Sequence, residues 1–215
     1  MTTEETLAEI ATEVEACTKC DLCKNTLHGV PGEGNPEAEL FFIGEAPGAV
    51  EDRRGRPFVG PAGHLLDELL ALIGLDRRSV FITNVVKHRP PDNRDPLPEE
   101  ISACSDYLTR QIAAINPKVI VTLGRYSMAR FFPPTVKISS IHGQARKIDG
   151  RIVVAMFHPA AALHRAELRK TIEEDFKRAI PAALAEARRL AAEGKLSQPM
   201  EKPKDEPPPQ QLTLF

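Results

Sequence analysis

The chain has 215 residues, of which 42% are apolar and 27% charged, and its net charge is −2. That length suits one large domain with an ample core, and that charge excludes a molecule built as an all-over basic glove for nucleic acid. No run is apolar enough to span a bilayer and the acidic N-terminus does not read as a signal peptide, so the expected setting is cytoplasmic, where four cysteines serve as metal ligands or free thiols.

Residues 2–16 place Leu7, Ile10 and Val14 at helical spacing. Cys17, Cys20 and Cys23 then form C-x2-C-x2-C, with Cys104 far downstream. A tight run with a distant fourth thiol is the pattern of an iron–sulfur cluster, with zinc as the alternative; spacing alone would make these four the ligands. Four short β-rich runs follow, at Leu40 to Gly44, Val80 to Val86, Val119 to Gly124 and Arg151 to Phe157. Helical patterns at 62–73, 98–115 and 125–132 separate them. Continuous apolar strands alternating with helices predict an α/β protein with a parallel sheet covered on both faces.

The stretch from Gly44 to Gly63, GEAPGAVEDRRGRPFVGPAG, leaves the first strand as a long Gly/Pro-rich loop. Its glycines allow close backbone approach, its acids Glu45, Glu51 and Asp52 offer acceptors or a base, and Phe58 offers a flat face. A loop of this length at the C-terminal edge of a parallel sheet is where open α/β sheets hold ligands. His88, in VVKHRPPDNRDP, follows the second strand; a histidine can stand in for a cysteine at an iron–sulfur centre, or simply hydrogen bond at the surface. Basic residues gather at Arg53, Arg54 and Arg56, at Arg146 and Lys147, and at His164, Arg165, Arg169 and Lys170, so a local basic face is expected. A long helical region runs from Leu163 to Ala192, with Pro181 as an expected break or kink. Residues 194–210, rich in proline and charge, read as a disordered linker after a domain of residues 1–193. The last five residues, QLTLF (Gln211 to Phe215), are either a tail folded back on the domain or an anchor for a partner pocket.

Several of these motifs occur together and in order: Cys17 and Cys20, GEGNP (Gly32 to Pro36), GEAPG with Glu51 and Asp52, GRPFVGPAG (Gly55 to Gly63), ITNVVK (Ile82 to Lys87), RPPDNRDP (Arg89 to Pro96) and FHPAA (Phe157 to Ala161). Taken together they closely resemble the family 4, iron–sulfur uracil-DNA glycosylases, across Cys17 to about Ile180. The resemblance implies a three-layer α/β/α sandwich around a central four-stranded parallel sheet. It also implies a monomeric DNA-repair hydrolase that flips uracil out of single- or double-stranded DNA and cleaves its N-glycosidic bond, leaving an abasic site. It changes the metal assignment: the family's third ligand follows TNVVK, so a 4Fe–4S cluster would sit on Cys17, Cys20, His88 and Cys104, with Cys23 spare. The related family X enzymes also read VKH here and carry a further basic loop ending in a reactive histidine. RPPDNRDPLPEE lacks that loop, so covalent capture of the sugar is not expected, and His142 in SSIHGQ is not that residue.

The implied site comprises Glu45, Ala46, Glu51, Phe58, Asn84 and His158. Phe58 would stack on the flipped base, worth about 1–3 kcal/mol. The amide of Asn84 can satisfy both N3–H and O4 of uracil, and cytosine presents the opposite pattern there. His158 would donate to O2, where negative charge develops as the bond breaks, and Glu45 would orient water and offset the cation-like sugar. Glu51 or Asp52 would shape the pocket against the 5-methyl of thymine. Leu163, His164 and Arg165 would form the wedge that fills the vacated stack, unless they are merely the first turn of the last helix. The cluster would be structural or DNA-positioning, not chemical. Finally, QLTLF resembles the pentapeptide with which bacterial replication and repair proteins bind the β sliding clamp, through Gln211, Leu212, Leu214 and Phe215.

Overall fold

The computed structural model describes residues 1–163 and 165–196. His164 and residues 197–215, with Gln211, Leu212, Leu214 and Phe215, lie outside the described residues. Six strands form one sheet: β1 (Glu33–Gly34), β2 (Leu40–Gly44), β3 (Phe81–Asn84), β4 (Val119–Leu123), β5 (Gln144–Ile148) and β6 (Arg151–Met156), in the order β1-β3-β2-β4-β6-β5. The central four, β3-β2-β4-β6, are parallel as expected, and the sequence reading missed the short antiparallel edges β1 and β5. β5 escaped notice because its residues are mostly exposed and polar, so it carries no apolar run.

Alternation within the strands builds two cores. Phe42, Val121 and Val154 face α3 (Pro61–Ala71) and α7 (Ala166–Ala192), whereas Phe41, Ile43, Ile120 and Val153 face α1 (Thr3–Glu15) and α4 (Pro98–Ile115). Every residue of the four parallel strands is buried, which is why they read as continuous apolar runs instead of alternating ones. The predicted α/β/α layering follows directly.

Three local predictions are revised. The loop between Gly44 and Gly63 contains a short helix, α2 (Ala49–Arg54), ended by Gly55 at φ +64°. The predicted strand to Val86 ends at Asn84, yet the N–H groups of Val85 and Val86 still donate to the carbonyls of Gly44 and Glu45, at 3.0 and 3.1 Å. Pro181 does not break α7, which runs unbroken for 27 residues. A proline in a helix interior costs about 3 kcal/mol, and burial of Phe176, Ala179, Ile180 and Ala183 around it offsets that cost. The helix stops at Gly194, in left-handed conformation, where the amides of Gly194 and Lys195 turn back to the carbonyls of Ala191 and Leu190.

The ring of Phe42 is fully buried and stacks on Phe176 of α7 with centroids 6.3 Å apart. Phe42→Ala should therefore cost about 3–5 kcal/mol, read as a lowered urea midpoint with an unchanged slope.

Candidate active site

The strand order reverses direction between β2 and β4: the chain passes from β2 outward to β3 on one side, and from β4 to β6 on the other. A crevice opens at the carboxyl ends of strands at such a point. Glu45 is the first residue beyond β2 and Arg125 the second beyond β4. Burial pushes the Glu45 carboxyl up to about 7; the charge of Asp95 adds to this and Arg125 opposes it. Asp95 and Arg125 are themselves ion-paired. Ala46, next to Glu45, is half-buried against the α1/α4 core.

Phe58 is the most constrained residue of the site. It has φ +52°, a conformation that costs an L-residue roughly 1–2 kcal/mol, and its side chain is only 5% exposed. Its neighbours hold it there. Glu51 Oε1 accepts from the amides of Val59 and Gly60 at 2.9 and 2.8 Å. Arg77 donates to the carbonyls of Pro57 and Phe58 at 2.6 and 2.8 Å. A Cβ on Gly63 would lie 1.8 Å from the Phe58 carbonyl oxygen, so only glycine fits there. On the ring side, a Cβ on Gly44 would lie 2.3 Å from Asn84 Oδ1 and 2.5 Å from Phe58 Cζ. Gly44 thus makes room for the protein's own Phe58 and Asn84, a different use from the direct ligand approach expected of the loop glycines.

Asn84 ends β3 and is 1% exposed, and its Oδ1 is buried without a hydrogen-bond partner. Its backbone is fixed from behind by Lys87. That fully buried ammonium donates to Thr83 Oγ1 at 2.6 Å, to the Asn84 carbonyl at 2.9 Å and to Gln111 Oε1 at 2.8 Å. Burial pushes Lys87 down to about 7. His158 opens the turn after β6, and its ring lies offset against Phe58 with centroids 5.6 Å apart. Its Nδ1 accepts from the Ala160 amide at 3.1 Å, so the neutral ring carries its proton on Nε2. Burial drives His158 down to about 4, only partly opposed by Glu51, and so keeps that donor-bearing neutral form.

Glu51 and Asp52 have their carboxylates engaged. Glu51 braces the Phe58 loop, and Asp52 Oδ1 accepts from the amides of Leu27 and His28 at 2.8 and 3.4 Å. Their influence on the pocket runs through the segments they hold. Leu163 is 41% exposed, a large apolar side chain left in solvent next to exposed Arg165. Both precede α7, which starts at Ala166, so they are not its first turn.

Cys17 and Cys104 are buried, and Cys20 and Cys23 are half-buried. Burial raises the Cys20 thiol, with the neighbouring Cys17 and Cys23 adding to the shift. Burial pushes Cys104 up to about 11, with Cys20 and Cys17 adding and the Lys87 amide and ammonium opposing. His88, 3% exposed, directly follows Lys87, and burial lowers its basicity and keeps the imidazole neutral. Four thiols and the imidazole of His88 supply sulfur and nitrogen donors of the kind an iron–sulfur cluster takes. Among the described residues no three His, Cys, Asp or Glu side chains are grouped closely enough to hold a metal ion.

Sequence reasoning missed Arg77, Lys87, Asp95 and Arg125. Lys87 had a signal, since a lysine closing the apolar run VFITNVV must be buried with it or end it. Arg77 had none, as it lies in a polar turn with another arginine beside it.

The uracil DNA glycosylase superfamily matches residues 31–184. The chain is 50% identical over 182 residues to the type-4 uracil-DNA glycosylase of Archaeoglobus fulgidus, covering 81% of this chain and 92% of that protein. It is 52% identical to the type-4 uracil-DNA glycosylase of Saccharolobus solfataricus, over 79% of this chain and 82% of that one. With that of Thermotoga maritima the identity is 46%, over 83% and 96%. The chain belongs to the uracil-DNA glycosylase superfamily and, within it, to the type-4 branch.

Proposed function

We infer that the protein excises uracil from DNA by hydrolysing the N-glycosidic bond, and that Glu45, Phe58, Asn84 and His158 carry the reaction. The observation that carries this reading is the unpartnered, buried Oδ1 of Asn84 beside the Phe58 ring. A buried acceptor without a donor costs about 1–3 kcal/mol, and uracil N3–H is a donor that would relieve it. Cytosine has an acceptor at that position and would leave the cost in place.

A base extruded from DNA, at a cost of a few kcal/mol, stacks on Phe58. Asn84 reads its N3–H and O4. As the glycosidic bond lengthens, electron density moves onto the base, and His158 Nε2–H donates to O2. Because Nδ1 is occupied by the Ala160 amide and the ring is neutral, that donor is in place before the reaction starts. Glu45, once ionised, opposes the positive sugar and orients water toward its anomeric carbon. Leu163 enters the vacated stack, with Arg165 on the backbone. Purified protein should release uracil from single- and double-stranded oligonucleotides in EDTA, and Asn84→Ala and His158→Ala should each lower the single-turnover rate by about 100-fold or more while leaving the unfolding midpoint within a few degrees.

The pH dependence follows from Glu45. With its carboxyl at about 7, the active anion is lost as pH falls below that value. The excision rate should then drop about tenfold per pH unit below 7, with no contribution from His158 until about 4. Folded Glu45 holds its proton more tightly than the ordinary value of 4.5, so its charge weakens the fold as pH rises from 4.5 to 7. Glu45→Gln should be inactive, and above pH 7 should melt higher than the wild type.

A 4Fe–4S cluster on Cys17, Cys20, His88 and Cys104 completes the reading, with Cys23 outside the ligand set. Held by His88, just after β3, it would tie that end of the strand to the segments carrying Cys17, Cys20 and Cys104, and no step of the cleavage runs through it. His88→Ala should lower bound iron and sulfide, whereas Cys23→Ala should leave both unchanged; the opposite result would return Cys23 to the ligand set.

The tail residues Gln211, Leu212, Leu214 and Phe215 fit a short anchor for a sliding clamp, supported by the QLTLF pattern at the end of a polar, proline-rich stretch. Deleting 211–215 should abolish clamp binding and leave excision from short oligonucleotides unchanged.

A further inference from the structure

We propose that Arg77 is a positioning residue for base recognition, setting the Phe58 ring by holding the two peptide planes that flank its Cα. The inference rests on the reading that Phe58 stacks on the extruded base, and it assigns a task to a residue outside the pocket.

Arg77 lies in the turn between α3 and β3, with its side chain 19% exposed. A guanidinium has five N–H donors, and all five are directed here. Nε and Nη2 donate to Glu33 Oε1, at 3.2 and 2.7 Å, and Nη1 donates to Asp67 Oδ1 at 3.0 Å. The two remaining N–H groups go to the carbonyls of Pro57 and Phe58. The Pro57 carbonyl belongs to the peptide plane before Phe58 and the Phe58 carbonyl to the plane after it. Fixing both therefore fixes φ and ψ of Phe58 together. The carboxylates, one on β1 and one on α3, hold the guanidinium in turn, so the reference frame for the ring is the sheet edge and a core helix. Relaxing Phe58 to an ordinary negative φ would redirect its Cα–Cβ bond and carry the ring away from Asn84 and His158. Glu51 holds the plane after Phe58 from its other edge, through the Val59 amide, but makes no bond to the plane before it, so it cannot replace Arg77 at the Pro57 carbonyl. A lysine, without the planar fork, cannot reach two carbonyls and two carboxylates at once.

The test is a double-mutant cycle. Single-turnover excision of uracil from a single-stranded oligonucleotide would be measured for Arg77→Met, Arg77→Lys, Phe58→Ala and the two double variants, with unfolding midpoints alongside. Affinity for an oligonucleotide lacking uracil gives a second readout. Arg77→Met should slow excision about 10–100-fold, the loss typical of a misplaced group, without changing that affinity, and Arg77→Lys should recover part of the rate. Added to Phe58→Ala, either substitution should cost nothing more. Wild-type excision by Arg77→Met, or a loss that adds in full on the Phe58→Ala background, would overturn the proposal. Wild-type excision by Phe58→Ala would overturn the stacking reading itself, and the proposal with it. Should Arg77→Met fail to fold, Glu33→Gln loosens the same guanidinium and should show the same dependence on Phe58; a loss independent of Phe58 would count against Arg77.

Discussion

The structure is organised by one constraint: a parallel sheet buried on both faces has nowhere to put polar chemistry except at its ends. The four central strands contribute no exposed residue. Glu45, Asn84 and His158 accordingly sit at, or one to two residues beyond, the carboxyl ends of β2, β3 and β6. Parallel register aligns those ends, and the hydrogen bonds from Val85 and Val86 to Gly44 and Glu45 carry the alignment past the last paired residues. Three groups distant in sequence are thereby brought to one rim by the register of the strands that carry them.

What the sheet cannot supply is the fourth wall, and there the protein uses buried ionic groups as rigid fittings. Arg77 and Glu51 hold alternate sides of the 57–60 backbone, one taking carbonyls and the other amides. Lys87 does the corresponding work behind Asn84, joining β3 to Gln111 of α4. Gln111 in turn donates to the Pro31 carbonyl at 2.7 Å. Such groups are costly to bury and are tolerated when every donor finds an acceptor. Among the described residues, Arg130 Nε and Arg151 Nε and Nη1 are buried without partners, and so is Asn84 Oδ1, the one of these acceptor and donor atoms that lies beside Phe58.

The layering was legible in the sequence because it rests on local signals. Runs such as LFFIG and VIVTL and the helix at 98–115 declare themselves by length and periodicity, and the last was read to the residue. Asn84, inside the run VFITNVV, and His158, just after RIVVAMF, were picked out through the family resemblance. The edges β1 and β5 were invisible because a two-residue strand and a solvent-facing one carry no apolar pattern. Arg77 was invisible for a deeper reason: its partners at 33, 57, 58 and 67 are scattered along the chain, and only the fold collects them. Pro181 misled because local propensity was overruled by the packing of α7 on the sheet.

Glu45 and His158 illustrate how the same burial gives two groups opposite fates that suit one reaction. Desolvation disfavours charge in both. For the carboxyl this raises the pKa to about 7, poised between its acid and its anion, and for the imidazole it lowers it to about 4, so that the ring stays neutral. A neutral donor can approach a base that is becoming an anion without having trapped a proton beforehand. A carboxylate poised near neutrality responds to the sugar's developing positive charge, which favours its ionised form at the moment it is needed. Asp95 holds the Glu45 carboxyl up, and Arg125, paired with Asp95, holds that effect in check.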